Sequence, residues 1–375
     1  MVGAIKMVDL QGQYLLIKSE IDEAIQHVID SAAFIQGPEV NEFSKNLSSY
    51  LGGTTVIPCA NGTDALQIAM MALNLKSGDE IILPVHTYVA TAEVIALLGL
   101  TPVFVDVDER TFNIDVSQIE SKLTSKTKAI VPVHLYGQCA DMESIMAIAI
   151  KHDLFVIEDA AQALGAKYRY STGEWKRAGT IGTIGTTSFF PSKNLGCFGD
   201  GGALLTTDSN LAEKIKMIAN HGQKKKYHHD VIGINSRLDT LQAAVLNVKL
   251  KYLDLYEQKR NEAAFFYDQH LKSISEIEVP VRSENSTHVF HQYTIRTDRR
   301  DELRLYLEKS GIPSMIYYPV PLHLQKAYIR DGFTEGSFPI TEKLSKSVLS
   351  LPIHTEMRTD ELEFICQTIR NFYHG

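Results

Sequence analysis

Residues 154–161 read LFVIEDAA, an apolar run that ends in two acidic residues and a pair of alanines. Three similar runs precede it along the chain: EIILPV at 80–85, PVFVDVD at 102–108 and KAIVPVHL at 128–135. A strand that is apolar on both faces is typical of a parallel sheet, because helices cover such a sheet on both sides. Ligands of these sheets bind beyond the carboxyl ends of the strands, so the residues after each run are candidates for a site.

Helical patterns separate these strands. The segments TDALQIAMMALNL, VATAEVIALLGL and MESIMAIAIKH have apolar residues at helical spacing. The alternation of strand and helix predicts an α/β fold built on a mostly parallel sheet. TTSFF and GGALLTTD are predicted as two further strands, with GDGG (199–202) as a tight turn between them. A long helix is predicted from about Asp239 to Leu271.

The pattern changes beyond Pro280, where VFHQYTIRT is predicted as a strand and DELRLYLEKSG as a helix. This mixed pattern is typical of a separate α+β unit. We therefore expect a large domain over residues 1–250 and a smaller carboxyl-terminal domain over residues 251–375.

Composition restricts the function. The net charge of −8 argues against a nucleic-acid surface and against binding to an anionic membrane. No apolar run is long enough to span a bilayer, and the first residues lack the apolar core of a signal peptide. The four cysteines lack metal-ligand or disulfide spacing. These features predict a cytoplasmic enzyme.

Lys193 lies in SFFPSKNLGCFGDGG (188–202), after a β-type run and a proline and just before a loop that holds four glycines. Lysine is normally a surface residue, and a constrained turn between apolar strands is an unusual place for it. A lysine held in this way is a candidate for covalent chemistry through its amine.

Two polar residues follow the run at 154–161. Asp159 ends the predicted strand, where a carboxylate needs a cationic or hydrogen-bonding partner, and Gln162 follows one turn later. Taken alone, Asp159 is better explained as the cap of the next helix. NGTDAL (61–66) begins a helix after the strand VIPC, so Gly62 and Thr63 form a potential anion site, although an ordinary helix cap has the same pattern.

The remaining features are weaker. Tyr88 follows a strand and can present an aromatic face, although taken alone such a residue is better explained by core packing. The run KKK (224–226) is typical of a solvated surface, and His228 and His229 have no partner at metal-ligand spacing, which disfavours a zinc site. Together, a constrained lysine, a strand-end aspartate, a helix-start anion site and an aromatic face match the needs of pyridoxal 5'-phosphate.

At this point the chain resembles the DegT/DnrJ/EryC1/StrS family of sugar-nucleotide aminotransferases, which have the fold type I architecture of aspartate aminotransferase. The likeness runs almost end to end and is carried by ANGTDAL, PVHTYVATAEVI, VPVHLYGQCADM, VIEDAAQALGA, SFFPSKNLGCFGDGG, GINSRLDTLQAA and YYPVPLH. The family's fold implies a large sheet domain and a smaller carboxyl-terminal α+β domain.

The resemblance implies roles for individual residues. Lys193 resembles the Schiff-base lysine and Asp159 the partner of the pyridine nitrogen, while Gln162 matches the residue at the ring hydroxyl and Tyr88 the stacking aromatic. The implied phosphate site comprises Gly62, Thr63, Asp64 and Ser188, together with Asn235 reaching across from the other subunit of a homodimer. The implied substrate contacts are Arg237, His229, Tyr317, Tyr318 and His323.

The resemblance also implies a reaction. Relatives that retain the lysine transfer an amino group, here from L-glutamate to a UDP- or dTDP-linked keto sugar, through the pyridoxal and pyridoxamine forms of the cofactor. HLYGQCADM and HGQKKKYHHDVIGINSRLD are most similar to enzymes that aminate C3 of a 3-oxo sugar nucleotide. Amination at C4, a pyridoxal-dependent dehydratase or lyase, and a non-catalytic pyridoxal-binding regulator remain alternatives. Amino-sugar or polysaccharide biosynthesis, such as that of lipopolysaccharide O-antigen, is the expected setting.

Overall fold

The protein is described by a computed structural model that covers residues 3–328 and 333–374. The helices are α1 (Leu10–Leu16), α2 (Lys18–Ser31), α3 (Pro38–Tyr50), α4 (Gly62–Ala72), α5 (Val89–Leu97), α6 (Met142–His152), α7 (Ser209–Ala219), α8 (Thr240–Leu250), α9 (Leu253–Leu271), α10 (Arg300–Lys309), α11 (Pro339–Ser347) and α12 (Thr359–His374). The strands are β1 (Thr55–Cys59), β2 (Glu80–Pro84), β3 (Thr101–Val105), β4 (Thr127–Ile130), β5 (Phe155–Asp159), β6 (Lys167–Arg169), β7 (Trp175–Arg177), β8 (Ile184–Ser188), β9 (Gly202–Thr206), β10 (Gln223–Lys225), β11 (His228–His229), β12 (Tyr293–Arg296) and β13 (Val348–Leu351).

The main sheet has seven strands in the order β1-β9-β8-β5-β4-β2-β3. The pairs from β8 to β3 are parallel, and β9 runs antiparallel to both of its neighbours. The predicted α/β fold with a mostly parallel sheet is confirmed. Successive residues of one strand enter different cores, because side chains alternate across a sheet: Ile81 packs with α4 and α5, whereas Ile82 packs with α6.

A further core lies around the short sheet β12-β13, where α9, α10 and α12 pack together. Ile5, near the start of the chain, is buried in this core. Leu322, Tyr328 and Phe338, in contrast, pack into the core of the main sheet. The division into domains at residue 250 stays a prediction.

Two local predictions are wrong. The helix expected from Asp239 to Leu271 is two helices, α8 and α9, because the chain turns at Lys251–Tyr252. GDGG is not a tight turn between β8 and β9, since residues 189–201 form a long loop between these strands. This loop carries Lys193, and its length brings the lysine back over the ends of the parallel strands.

Within residues 3–328 and 333–374, no helix combines the length and apolarity needed to cross a membrane. The same residues contain no cluster of histidine, cysteine and acidic side chains that could hold a metal ion. All four cysteines are unpaired and buried.

Candidate active site

A cavity of about 490 Å³ opens at the carboxyl ends of the parallel strands, between the main sheet and the segment that leads into β12. Nine of the residues singled out in the sequence line it: Gly62, Thr63, Tyr88, Asp159, Gln162, Ser188, Lys193, Tyr317 and Tyr318. They come from distant parts of the chain and meet here because parallel strands deliver their following loops to one edge of the sheet.

Lys193 lies in the loop after β8, and its backbone N–H donates to Phe190 O at 2.8 Å. The side chain is partly buried at the wall of the cavity. Burial lowers the pKa of the Lys193 amine to about 8, and the nearby negative charge of Asp159 opposes this shift. Among the described residues, no side chain or carbonyl forms a hydrogen bond with Nζ. The amine is therefore available for chemistry near neutral pH.

Asp159 is the last residue of β5, and its carboxylate is buried. Oδ2 accepts a hydrogen bond from Thr91 Oγ1 at 2.9 Å, and Oδ1 accepts one from the backbone N–H of Ala161 at 3.1 Å. These two donors fix the carboxylate without neutralising it. The remaining lone pairs face the cavity and can accept a hydrogen bond from a protonated ring nitrogen of a ligand.

Gln162 is fixed from two sides. Its Oε1 accepts from the backbone N–H of Tyr136 at 2.7 Å, and its Nε2 donates to the Tyr318 hydroxyl at 3.2 Å. The Tyr136 hydroxyl in turn donates to the carbonyl of Tyr317. This chain of contacts joins the floor of the cavity to the segment that carries both tyrosines.

The anion end of the cavity lies at the start of α4. The helix begins at Gly62, and Asn61 caps it by accepting from the backbone N–H of Asp64 at 2.8 Å. Ser188, the last residue of β8, packs so closely that a Cβ on Gly62 would lie 2.8 Å from Ser188 Cβ. Glycine is therefore required here, and the helix start offers N–H groups and a positive dipole end to a phosphate.

Tyr88 precedes α5 with 57% of its surface exposed, so one face of its ring is open. Its ring centroid lies 6.1 Å from that of Tyr318. Thr87, the preceding residue, has a buried Oγ1 that lacks a hydrogen-bond partner among the described residues. A planar ligand in this cavity would find an aromatic face and an unsatisfied hydroxyl beside each other.

Other predicted site residues lie outside this cavity. His323 is completely buried; its Nε2 contacts Glu342 Oε1 at 3.0 Å and its ring packs on Phe338. Its side chain is enclosed by its own core in this arrangement, and the expectation that His323 borders the substrate stays a prediction. The side chain of Asp64 does not line the cavity either; its backbone forms part of the helix cap.

The remaining three lie on a different surface. Asn235 is exposed beside Asn220, and Arg237 lines a second cavity of about 570 Å³. His229 is exposed on the β10-β11 hairpin, where its Nδ1 lies 2.7 Å from His221 O. The single chain does not bring these three residues to Lys193, so their predicted roles depend on a second subunit.

Sequence reasoning missed several polar residues of the site, among them Thr87, Thr91, His291 and Gln292. Thr91 holds Asp159, and the other three line the cavity. Thr87 and Thr91 lie within the stretch PVHTYVATAEVI, on either side of Tyr88. His291 and Gln292 lie in a predicted strand, where nothing in the sequence separates cavity-facing residues from core residues.

The fold and this constellation are those of a pyridoxal-type aminotransferase. The family model described as DegT/DnrJ/EryC1/StrS aminotransferase family matches residues 16–370, and the chain belongs to this family. The resemblance drawn from the sequence motifs is thereby confirmed, and the protein is an aminotransferase.

Curated relatives match along nearly the whole chain. A pleiotropic regulatory protein of Geobacillus stearothermophilus is 47% identical over 371 residues, 98% of this chain and 98% of that protein. The UDP-2-acetamido-2-deoxy-3-oxo-D-glucuronate aminotransferase of Pseudomonas aeruginosa is 46% identical over 367 residues, 98% of this chain and 100% of that enzyme.

Solved structures agree with this assignment. The crystal structure of S. venezuelae DesV in complex with a ketimine intermediate has a TM-score of 0.96 and 39% identity, covering 100% of both chains. Bacillus subtilis NtdA with bound cofactor PMP has a TM-score of 0.88 and 34% identity, covering 95% of this chain and 82% of that one.

Proposed function

We propose that this protein transfers an amino group from L-glutamate to the C3 keto group of a nucleotide-linked sugar, with pyridoxal 5'-phosphate as cofactor and two chains completing each site. The observation that carries the proposal is the cavity itself. It combines a partly buried amine of lowered pKa, a fixed carboxylate and a helix start that has no room for a side chain. The relatives' names supply the class of substrate.

The residues present fit the cofactor. Gly62, Thr63 and Ser188 would hold the phosphate at the start of α4, Asp159 the ring nitrogen, Gln162 the ring hydroxyl and Tyr88 the ring face. The unsatisfied Thr87 hydroxyl is a further polar group that a bound molecule would satisfy. When bound, pyridoxal 5'-phosphate supplies an aldehyde carbon that carries the amino group and a protonated ring that withdraws electrons.

Lys193 acts as the proton carrier of the site. With a pKa of about 8, a large share of its Nζ is neutral near pH 7.5 to 8 and can accept a proton from the carbon beside the reacting nitrogen. The same Nζ then returns the proton at the other end of the transfer. A lysine with its ordinary pKa would be almost fully protonated and unable to begin this exchange.

The carboxylate of Asp159 is held in one orientation, towards the cavity. Because Thr91 and the Ala161 N–H hold both oxygens, the carboxylate cannot rotate away from the cavity. A fixed negative charge favours the proton on a facing ring nitrogen, which is the state needed for electron withdrawal. Gln162 orients the other edge of the ring, since its amide is itself held by Tyr136 and Tyr318.

The partner subunit is proposed to supply Asn235 and Arg237. Both precede α8 on a surface away from their own cavity, so symmetry can place them at the neighbour's phosphate and substrate. Two exposed apolar side chains lie close to these segments in sequence: Ile232, 86% exposed, precedes Asn235, and Phe190, 51% exposed, precedes Lys193. A subunit contact would cover both of them. His229 belongs to the same exposed surface.

The substrate is tested with the pyridoxamine form of the protein and a panel of 3-oxo and 4-oxo sugar nucleotides. We expect amination of a 3-oxo compound, identified by mass spectrometry and NMR, and release of 2-oxoglutarate when L-glutamate restores the enzyme. Amination of 4-oxo compounds alone would move the reaction to C4. Cofactor binding without release of 2-oxoglutarate would instead support a regulatory protein.

The shared site is tested by complementation. Lys193→Ala chains are mixed with chains altered at both Asn235 and Arg237, and subunit exchange is verified. In a mixed dimer one site carries both defects and the other carries neither, so partial activity should return. A fully active monomer, or no recovery after exchange, would contradict the proposal.

A further inference from the structure

Tyr136 lies in the loop after β4, and its backbone is left-handed, with a φ of 58° and a ψ of 0°. This conformation is rare and unfavourable for a bulky aromatic residue. The side chain is buried and packs on Phe112, with 5.3 Å between the ring centroids. At the next residue, Gly137, a Cβ would lie 3.0 Å from the backbone nitrogens of Phe290 and His291. The chain is therefore held tightly here in a strained conformation, which directs attention to the contacts that Tyr136 makes.

The polar groups of Tyr136 bind three separate parts of the cavity lining. Its backbone N–H donates to Gln162 Oε1 at 2.7 Å, and its carbonyl accepts from the backbone N–H of Gln292 at 3.3 Å. Its hydroxyl donates to the carbonyl of Tyr317. Gln162, Gln292 and Tyr317 all line the cavity and come from different segments of the chain. One buried residue thus fixes the relative positions of three parts of the cavity lining.

The hydroxyl of Tyr136 has a second partner, His86 Nε2, at 3.2 Å. Because a carbonyl oxygen only accepts, the hydroxyl proton goes to Tyr317, and the hydroxyl oxygen accepts from His86. Burial lowers the pKa of His86 to about 4, so its imidazole is neutral near pH 7 and carries its single proton on Nε2. The hydrogen bonds therefore run in one direction, from His86 through Tyr136 to Tyr317.

The backbone N–H of Tyr136 also orients the Gln162 amide. An N–H group pairs with an oxygen atom, so Oε1 faces Tyr136, and Nε2 donates to the Tyr318 hydroxyl at 3.2 Å. The Tyr318 oxygen accepts this bond, and no hydrogen bond to an acceptor among the described residues uses its proton, which can be donated to a ligand. Tyr136 thus holds Gln162 through its backbone and the Tyr317–Tyr318 segment through its hydroxyl.

The Tyr317–Tyr318 segment suits a sugar better than an amino acid. Carboxylates bind most strongly to arginine and lysine, and Lys193 is the only residue of these two types among the described residues that line the cavity. Tyrosines offer hydroxyl groups that can hydrogen-bond a sugar and aromatic faces that can pack against its ring. We therefore expect this segment to contact the keto sugar more than glutamate.

We propose that Tyr136 is a positioning residue for the keto-sugar half of the reaction, holding the Tyr317–Tyr318 segment at a fixed place relative to Gln162. The inference rests on the proposed function, because it assigns the residue to one of that reaction's two substrates. Tyr136→Phe keeps the aromatic ring and the backbone contact with Gln162. It removes the donor to the Tyr317 carbonyl and the acceptor of His86, so only the tyrosine segment is released.

The first test measures the two half-reactions separately by single-turnover absorbance. With the pyridoxamine form and the sugar nucleotide that the wild type aminates, Tyr136→Phe should raise the half-saturating concentration about tenfold. Conversion of the pyridoxal form by L-glutamate should stay within about threefold of the wild type. Tyr267→Phe is the matched control, because buried Tyr267 also donates to a backbone carbonyl, that of Pro352 at 2.8 Å, within the other core. It should leave both half-reactions within about threefold.

The second test uses cofactor-free protein and does not depend on turnover. Hydrogen–deuterium exchange, followed by mass spectrometry of peptides, should show about tenfold faster exchange over residues 314–320 in Tyr136→Phe. Peptides covering β1 and β9 should exchange as in the wild type. His86→Leu removes the donor to the Tyr136 hydroxyl and should give a smaller change over the same residues, whereas His86→Gln keeps an N–H donor and should restore the wild-type pattern. If Tyr136→Phe does not fold, this His86 pair decides.

The outcomes separate this inference from the proposed function. A wild type that aminates none of the keto sugar nucleotides would overturn both. Amination by the wild type, together with equal losses in the two half-reactions of Tyr136→Phe or with no loss in either, would overturn the role of Tyr136 alone. Unchanged exchange over residues 314–320, or faster exchange across the whole main sheet, would also overturn it, as would equal effects of His86→Leu and His86→Gln.

Discussion

Two neighbouring acidic residues at the end of β5 have opposite surroundings. Glu158 is completely buried and accepts four hydrogen bonds: from Ile181 and Gly182 at 2.6 Å, from Gly179 at 2.9 Å, and from His134 Nε2 at 2.9 Å. Asp159 accepts two, and its remaining lone pairs face a cavity. Adjacent residues of a strand point to opposite faces, so Glu158 points into the protein interior and Asp159 points towards the cavity.

The difference lies in how completely each group is satisfied. The Glu158 cluster is closed: His134 Nδ1 accepts from the Ala140 N–H, which leaves Nε2 to donate to Glu158. It ties the loop after β4, which borders the cavity at Val133, to the loop before β8. The Lys193–Asp159 side is open, since the amine and one face of the carboxylate have no partner among the described residues. The fully hydrogen-bonded Glu158 cluster holds the backbone in place, whereas Lys193 and Asp159 keep polar groups free for a ligand.

The sharpest test of this contrast is Lys193→Ala. Removing the proposed proton carrier should reduce amino transfer by about 10⁴-fold, while thermal unfolding stays near the wild-type temperature. Lys249→Met is the matched control, since Lys249 is a buried lysine that donates to Gly196 O at 2.6 Å. It should lower stability by about 1–3 kcal/mol and leave transfer largely intact. The reverse pattern would invalidate the distinction.

Asp159→Asn should have the next largest effect. The amide keeps the shape and the hydrogen bond with Thr91 but loses the charge, so proton transfer should slow by about 10³-fold. Rapid-quench or stopped-flow measurement of one half-reaction isolates this step from product release. Near-normal rates with the cofactor bound would show that the carboxylate charge is not needed.

Glu158→Gln should give the opposite result. Each carboxylate oxygen of Glu158 accepts two hydrogen bonds, and the NH2 group that replaces one oxygen in this variant cannot accept them. The free energy of unfolding should therefore fall by about 2–4 kcal/mol. The rate per folded, cofactor-loaded site should remain within about tenfold of the wild type. Chemical denaturation and active-site titration measure the two quantities on one preparation. A large loss of rate without a loss of stability would show that Glu158 contributes to amino transfer rather than to folding.

The pH dependence of amino transfer tests the lowered pKa of Lys193. Because the pKa of Lys193 is lowered to about 8, its neutral fraction rises with pH up to that value, and transfer should increase about 50-fold between pH 6 and 8 and then level. The unfolded lysine keeps its ordinary pKa of 10.5, so it binds the proton more tightly than the folded one. Cofactor-free wild type should therefore gain stability relative to Lys193→Met as pH rises from 8 towards 10.5. A limb centred near 10 would contradict the burial argument.

Much of the fold could be predicted from local patterns. Apolar runs at 80–85 and 154–161 are strands because both of their faces are covered, and the helices between them follow from apolar spacing. The break at Lys251–Tyr252 was missed because both helices continue a helical pattern. Nothing local marks the place where α8 must leave the packing against α2 and α3 and α9 must turn towards the other core.

The site could be predicted only where a residue is unusual for its local setting. Lys193 and Asp159 are charged residues between apolar strands, so the sequence marks them. Thr91 and His291 are ordinary residues of a predicted helix and a predicted strand, and only the tertiary fold brings Thr91 to Asp159 and His291 to the cavity. The burial of His323 against Glu342 likewise depends on tertiary contacts, which no local pattern indicates.

The position of β1 in the sheet has a consequence for biosynthesis. β1 is the first strand to leave the ribosome, yet it pairs antiparallel with β9, and Thr55 meets Thr206. Its hydrogen-bonding edge therefore stays unpaired while the intervening strands are synthesised, and long-range pairing of this kind is slow. The start of α4, directly after β1, reaches its final place against Ser188 only once β8 and β9 have formed. The nascent chain thus exposes an apolar strand through about two fifths of its translation, from Cys59 to Thr206, and a chaperone that shields such edges would raise the yield of active protein.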